Sequence, residues 1–265
     1  MNIKLIALDL DDTLVDSKKD LSKRDVTAIK KAMDKGIYVC LASGRTYKSL
    51  KPFYKRLGLN SMTISTGGAI INDKDGNRIY EKFLPEKEAA QIVKYAYNNG
   101  YHAQVYFKDD FHYYNKDSKF PKLYEKRTGL AGTYDRSIIE MDEIKTPKIL
   151  FIDDEDKIEE MTKIISEKFS DLSLKNSYPS YIEVNHKDAN KGVALKVLVE
   201  MLGIKKSDVM AIGDSEIDLS MIEYAGMGVC VENASDNIKK HADFITATCK
   251  DDGVAVAIEK FCLYV

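Results

Sequence analysis

Asp9 and Asp11 stand two residues apart at the end of an apolar run, Ile3 to Leu8, and Asp12 follows at once. In an extended segment residues two apart point the same way, so the two carboxylates would lie side by side. Unit charges 4 Å apart repel by about 4 kcal/mol at an effective dielectric near 20. A hard cation offsets that cost. Magnesium is the expected one, because it takes oxygen ligands, usually one or two carboxylates together with phosphate and water. Three more polar sets occupy comparable places: Ser43-Gly44-Arg45 after the apolar run Ile37 to Ala42, Lys191 at the start of a helical pattern, and Asp214 with Asp218 after the run Asp208 to Ile212. Each set alone is ordinary turn or helix-start chemistry. Together they offer carboxylates, a hydroxyl and an ammonium, the groups needed to hold a cation beside a phosphoryl group.

The elements that must position these groups follow from pattern. An apolar run ending in carboxylates reads as a strand buried on both faces, with the acidic groups where it leaves the sheet, which is where open parallel sheets bind ligands. Ser22, with Asp25 three residues on, opens a capped helix running to Gly36. Ile37 to Ala42 is a second strand, a helix then stops near Gly58, and Met62 to Ser65 is a third strand leading into Thr66-Gly67-Gly68-Ala69. This alternation predicts a doubly wound parallel sheet. The pattern changes after Ala69: a small hairpin to Leu84, a helix from Pro85 to Gly100, an aromatic hairpin over His102 to Asn115, a helix over Ser118 to Thr128, a strand at Lys148 to Asp153, an amphipathic helix at Glu155 to Phe169, and strands at Leu172 to Tyr178 and Tyr181 to His186. Hairpins dominate there. From Lys191 the alternation returns, with a helix to Leu202, strands at Asp208 to Ile212 and Met227 to Val231, a short strand within His241 to Thr246, and a helix from Asp252 to Phe261. The expected fold class is α/β: a doubly wound, Rossmann-like parallel-sheet core formed by residues 1–82 and 190–265, with an inserted α+β domain at 83–189 whose antiparallel sheet carries helices on one face.

With 265 residues and a net charge of -2, the chain can bury a sizeable core and shows no electrostatic footprint for nucleic acid or a membrane surface. No secretory leader and no apolar run of membrane-spanning length is read. Cys40, Cys230, Cys249 and Cys262 are scattered, with neither CxxC nor zinc-site spacing, as expected of reduced thiols in a cytoplasmic protein.

Asp9-Leu10-Asp11-Asp12-Thr13, Ser43-Gly44-Arg45, Lys191-Gly192 and Gly213-Asp214-x-x-x-Asp218, in that order and spacing, resemble the four motifs of the haloacid dehalogenase superfamily of phosphohydrolases. The insert between the second and third motifs resembles the large α/β cap of its Cof-type sugar phosphatases. Two positions differ from the usual pattern. Ile217 stands where the family commonly has Asn, and Thr66-Gly67-Gly68-Ala69 where it commonly has Ser-Asn-Gly-Ala.

The resemblance implies a Mg2+-dependent phosphatase for a small phosphorylated metabolite, a sugar phosphate or a phosphorylated cofactor, with a mobile cap selecting the substrate. Asp9 would be the nucleophile and form an aspartyl-phosphate, and Asp11 the general acid/base, its pKa raised by its neighbour. Asp9, the Asp11 carbonyl and Asp214 would hold the metal. Ser43, the amides of Leu10 and Gly44, and the Lys191 ammonium would surround the phosphoryl oxygens. Asp218 would orient Lys191, and Arg45 and His186 are candidate substrate contacts. The alternatives are a phosphomutase and a catalytically weak, phosphate-binding regulator. A signalling receiver domain is disfavoured, because its acceptor Asp would lie later than the first strand and it has no use for so long an insert. The expected assembly is a monomer or weak homodimer.

Overall fold

The computed structural model describes residues 2–16 and 20–264. The chain divides into two compact units, one comprising Met1–Gly44, Leu50–Tyr80 and Asn190–Val265, the other Arg45–Ser49 and Glu81–Ala189. No helix among the described residues is long and apolar enough to cross a membrane.

The chain begins in the first unit with β1 (Leu5–Leu8), all four residues of which are buried. In α1 (Lys23–Asp34) the Ser22 hydroxyl accepts from the Asp25 amide at 2.9 Å, satisfying one of the donors a helix start leaves open. There follow β2 (Tyr38–Leu41), α2 (Tyr47–Leu57), β3 (Thr63–Ser65), a single 3-10 turn at Thr66–Gly68, β4 (Ile70–Asn72) and β5 (Arg78–Glu81). The second unit holds α3 (Glu86–Asn98), β6 (Ala103–Phe107), β7 (Asp110–Tyr113), α4 (Phe120–Thr128), β8 (Gly132–Tyr134), β9 (Lys148–Ile152), α5 (Glu155–Lys168), β10 (Leu172–Tyr178) and β11 (Tyr181–His186). The return to the first unit adds α6 (Lys191–Met201), β12 (Val209–Gly213), α7 (Leu219–Tyr224), β13 (Met227–Val231), α8 (Asp236–His241), β14 (Phe244–Thr246) and α9 (Gly253–Ile258).

The sheet of the first unit runs β14-β13-β12-β1-β2, with every pair parallel. Alternate residues of β1 face opposite layers. Ile6 and Leu8 pack with residues of α1, α2 and α9, while Leu5 and Ala7 pack with Ala194, Leu195 and Leu198 of α6 and Met221 of α7. Each fully buried Leu or Ile contributes about 1.5–3 kcal/mol, so both faces of the central strand are tightly held. The third strand departs from the expected parallel continuation. β3 meets the end of β2 through one parallel bridge, Ala42 to Ile64, and is otherwise the edge of a three-stranded sheet, β3-β4-β5, paired antiparallel to β4.

The second unit is a six-stranded sheet, β10-β11-β9-β6-β7-β8, antiparallel except where β8 lies parallel to β7. One face carries Ala103, Val105, Ile149, Phe151, Ile182 and Val184 under residues of α3 and α5. The opposite parity carries Tyr106, Phe111, Leu150, Ile152 and Tyr181, and there Tyr124 of α4 joins the aromatic cluster, so one short helix lies apart from the other two. The same parity bears a buried ion pair, Lys148 Nζ to Glu183 Oε2 at 3.1 Å. Burial works against the Lys148 ammonium, and the Glu183 carboxylate outweighs it.

Two stability predictions follow from these packings. Asp25 is buried, and its Oδ1 accepts from the Ala255 amide at 2.7 Å. Burial raises its carboxyl from 3.8 to about 6. The folded state therefore binds more protons between those values, stability falls as pH rises through that window, and above it the cost levels off at about 3 kcal/mol. Asp25→Asn keeps the acceptor and should raise the urea midpoint at pH 8 but not near pH 4; an equal gain at both rejects the account. Glu183→Gln removes the carboxylate charge that outweighs burial of the Lys148 ammonium and should cost about 3–5 kcal/mol in denaturant unfolding, whereas replacing both residues by apolar ones of similar volume should cost less.

Candidate active site

The ends of three neighbouring strands in the first unit set the site. Leu8 pairs with Leu41 of β2 and with Ile212 of β12, the Asp9 amide donates to the Ile212 carbonyl at 2.9 Å, and the Ala42 amide donates to the Leu8 carbonyl at 2.8 Å. Ser43, Asp9 and Asp214 thus lie at the carboxyl ends of adjacent parallel strands, the place where open parallel sheets bind ligands. The loop after Asp9 is tight. Leu14 and Val15 amides both donate to the Leu10 carbonyl (3.0 and 2.9 Å), the Asp12 amide donates to Val15, and Asp12 takes a left-handed φ of 60°. The Asn233 side-chain amide donates to the Asp12 carbonyl at 2.8 Å, and its oxygen accepts from the Cys249 amide at 2.8 Å. So folded, the loop directs the Thr13 hydroxyl to Asp214 Oδ1, at 2.7 Å.

Lys191 opens α6, whose first turn is capped by Asn190 Oδ1 accepting from the Val193 amide at 2.9 Å. Its side chain has no solvent exposure, and its ammonium bridges Asp9 Oδ1 at 2.5 Å and Asp218 Oδ1. The other oxygen of Asp218 accepts from the Ser215 amide and hydroxyl (3.0 and 2.8 Å) and from the Asp214 amide (3.2 Å). One carboxylate therefore fixes both the lysine and the loop that carries Asp214. Burial and the Asp218 charge push the Asp9 carboxyl well up against the pull of Lys191. The same two causes, opposed by the Thr13 hydrogen bond, raise Asp214 to about 7. Burial disfavours the Lys191 ammonium, but Asp218 and Asp9 outweigh it and keep it protonated.

Asp9, Asp214 and Asp218 each offer an oxygen within 4.8 Å of the others. Three carboxylates around one ammonium leave two negative charges uncompensated if all are ionised, and the raised carboxyls are the sign of that strain. A divalent cation relieves it, so this donor set fits a hard metal such as Mg2+. Because Asp218 is already engaged by Lys191 and by three donors of the 214–215 turn, Asp9 and Asp214 are the carboxylates with capacity for the ion.

The remaining expected residues fall as follows. Leu10 is fully buried and Ser43 nearly so; the Ser43 amide donates to the Ile64 carbonyl and its carbonyl accepts from the Gly67 amide, both at 3.0 Å. Gly44 follows Ser43 in the first unit, and Asp11 is partly exposed. Arg45 and His186 belong to the second unit: the Arg45 guanidinium donates to Ser49 Oγ at 3.4 Å, and His186 Nδ1 accepts from the Asp188 amide at 3.1 Å. Sequence reasoning gave no role to Thr13, Ser215 or Asn233. Thr13 lay inside the quoted motif, and a hydroxyl one turn from two metal-type carboxylates was the available signal.

Comparison with known proteins gives a consistent picture. A family model described as haloacid dehalogenase-like hydrolase matches residues 6–258. The chain is 34% identical to the 5-amino-6-(5-phospho-D-ribitylamino)uracil phosphatase YcsE of Bacillus subtilis, over 99% of this chain and 97% of that protein. Among solved structures, a haloacid dehalogenase-like hydrolase from Bacteroides thetaiotaomicron superposes with a TM-score of 0.89 at 30% identity, covering 97% of this chain and 99% of the other. A subclass IIB sugar phosphatase superposes at 0.86 with 20% identity over 98% and 99% of the two chains, a likeness of fold alone.

If the paired carboxylates await a cation, Mg2+ should raise the melting temperature of the unaltered protein by several degrees. Asp214→Asn should melt higher than the unaltered protein without metal, because it removes repulsion, and should lose the Mg2+ shift. A shift that survives Asp214→Asn, read by scanning calorimetry, places the ion elsewhere.

Proposed function

The chain belongs to the haloacid dehalogenase-like hydrolases, and on that premise we propose that it is a Mg2+-dependent phosphatase of small phosphate monoesters working through an aspartyl-phosphate. The observation that carries this reading is the Lys191 ammonium buried between Asp9 and Asp218 beside Asp214. One lysine and one divalent cation offset the three aspartates, so a phosphate dianion can enter a site that would otherwise repel it.

Asp9, Asp214 and the Asp11 carbonyl would hold the Mg2+, which when bound supplies charge neutralisation at the phosphoryl oxygens. The chain's own groups do the rest. An Asp9 carboxylate oxygen attacks phosphorus, the P–O bond to the leaving alcohol breaks, and the Asp11 carboxyl gives its proton to the departing oxygen. Asp11, now ionised, takes a proton from a water that attacks the same phosphorus, releasing phosphate and restoring Asp9. Ser43, the Leu10 and Gly44 amides and Lys191 bind the non-bridging oxygens. Thr13 and Asp218 keep Asp214 and Lys191 in place. The second unit acts as the cap that selects the leaving group. The ribityl phosphate named for the B. subtilis relative makes a phosphorylated polyol, sugar or cofactor precursor the substrate class to try first.

Phosphate release from p-nitrophenyl phosphate should need Mg2+ and be abolished by EDTA. Asp9→Asn should leave no measurable turnover, and Asp11→Asn should lower kcat by about 10²–10⁴. Turnover undiminished in Asp9→Asn removes the covalent route.

A further inference from the structure

The turn that departs from the family pattern, Thr66-Gly67-Gly68, touches both sides of the phosphate-binding set. Its Gly67 amide donates to the Ser43 carbonyl at 3.0 Å, while the Ser43 amide donates back to Ile64, so Ser43 is hung from this turn and its strand. On the other side Gly68, at φ 97°, lies against the residue that caps α6. A Cβ there would come within 2.2 Å of the Asn190 carbonyl carbon and oxygen and 2.7 Å of the Lys191 nitrogen, distances at which backbone must move. The same first turn is gripped from a second direction. A Cβ on Gly192 would meet the Ser220 carbonyl oxygen at 2.3 Å, and the Gly192 amide donates to Ser220 Oγ at 3.1 Å.

The turn is also held in a costly conformation. Thr66 is β-branched yet takes φ 53°, a left-handed region in which such residues are steric outliers. It is 1% exposed, and its hydroxyl has no hydrogen-bond partner. A strained, buried, unsatisfied residue persists only where its surroundings dictate its geometry. The dictating contacts are the ones to Ser43 and to Asn190. Ser65 reinforces them by donating to Asn72 Oδ1 at 2.9 Å across β3 and β4.

We infer that Thr66-Gly67-Gly68 is a rigid spacer that sets the separation of Ser43 from Lys191, with Thr66 and Gly68 as positioning residues for the phosphoryl group. The inference rests on the phosphatase reading above. Because Lys191 has no freedom of its own, being clamped by two carboxylates and seated between two glycines, any movement of the Asn190 backbone is passed to the ammonium. A phosphate bound at one ground-state and transition-state geometry then loses the same contact in both, which raises KM more than it lowers kcat.

The test is steady-state kinetics at saturating Mg2+, with inorganic orthophosphate as product inhibitor, on Gly68→Ala and Thr66→Gly. Gly68→Ala pushes directly on Asn190. Thr66→Gly introduces no clash and relieves the left-handed strain, so it folds even if the first does not, but it frees the spacer. The expected result is a rise of about tenfold in KM and in the phosphate inhibition constant together, with a smaller change in kcat. A merely structural turn would lower the folded fraction and thus kcat, leaving KM and the inhibition constant within twofold of the unaltered protein, and that result overturns the inference alone. An unaltered protein that neither turns over substrate nor binds orthophosphate by calorimetry overturns both this inference and the phosphatase reading.

Discussion

An ammonium without solvent contact, held by carboxylates from two separate loops, is the interaction on which the first unit's arrangement depends. Lys191 and Asp218 have no exposure and Asp9 almost none. Breaking such a pair from one side leaves a charge in the interior at a cost of about 3–5 kcal/mol, so none of the three can drift. That constraint explains the otherwise extravagant satisfaction of Asp218. Its oxygens serve the lysine and three donors of the Asp214 turn, which makes the position of one metal-type carboxylate a function of another's hydrogen bonds.

The rest of the first unit supplies coordinates for that cluster. Parallel pairing of β1 with β2 and β12 puts Asp9, Ser43 and Asp214 in one row, and core packing on both faces of β1 fixes the height at which the row ends. Beyond the ladder, side chains take over from backbone. Thr13 reaches Asp214, and Asn233 ties the Asp12 carbonyl to the segment before α9. The cluster is thus rigid on the protein's side and short of positive charge, the combination expected of a site completed by a cation and an anion.

Much of this was legible because it is written locally. Apolar runs ending in polar residues located β1, β2 and β12, and the Ser22 cap marked α1. The departures have physical reasons. β8 is three residues, of which Thr133 and Tyr134 are exposed, and α8 is a single capped turn and a half, both too short to carry a period. β3 reads as a buried strand in either kind of sheet, and only the sharp turn at Thr66–Gly68 sends the chain back antiparallel. Asn233 escaped for another reason: its partner Asp12 lies 221 positions away, a separation that leaves no trace in spacing, whereas Thr13, 201 positions from Asp214, was marked only by its place in the motif. Lys148 in β9 looks like an ordinary surface residue until Glu183 is brought beside it.

The pairing of Leu5 with Val209 has a consequence for how the molecule is made. During synthesis β1 and β2 leave the ribosome long before β12 exists, and their apolar faces and unpaired edges must wait. The second unit, built from hairpins and helices close in sequence, can complete itself in that interval, because local pairings close quickly while long loops close late. The order of maturation then departs from the order of residues. The second unit matures first, and β1, though translated ahead of it, is among the last strands to gain its full set of neighbours, because its pairing with β12 comes late.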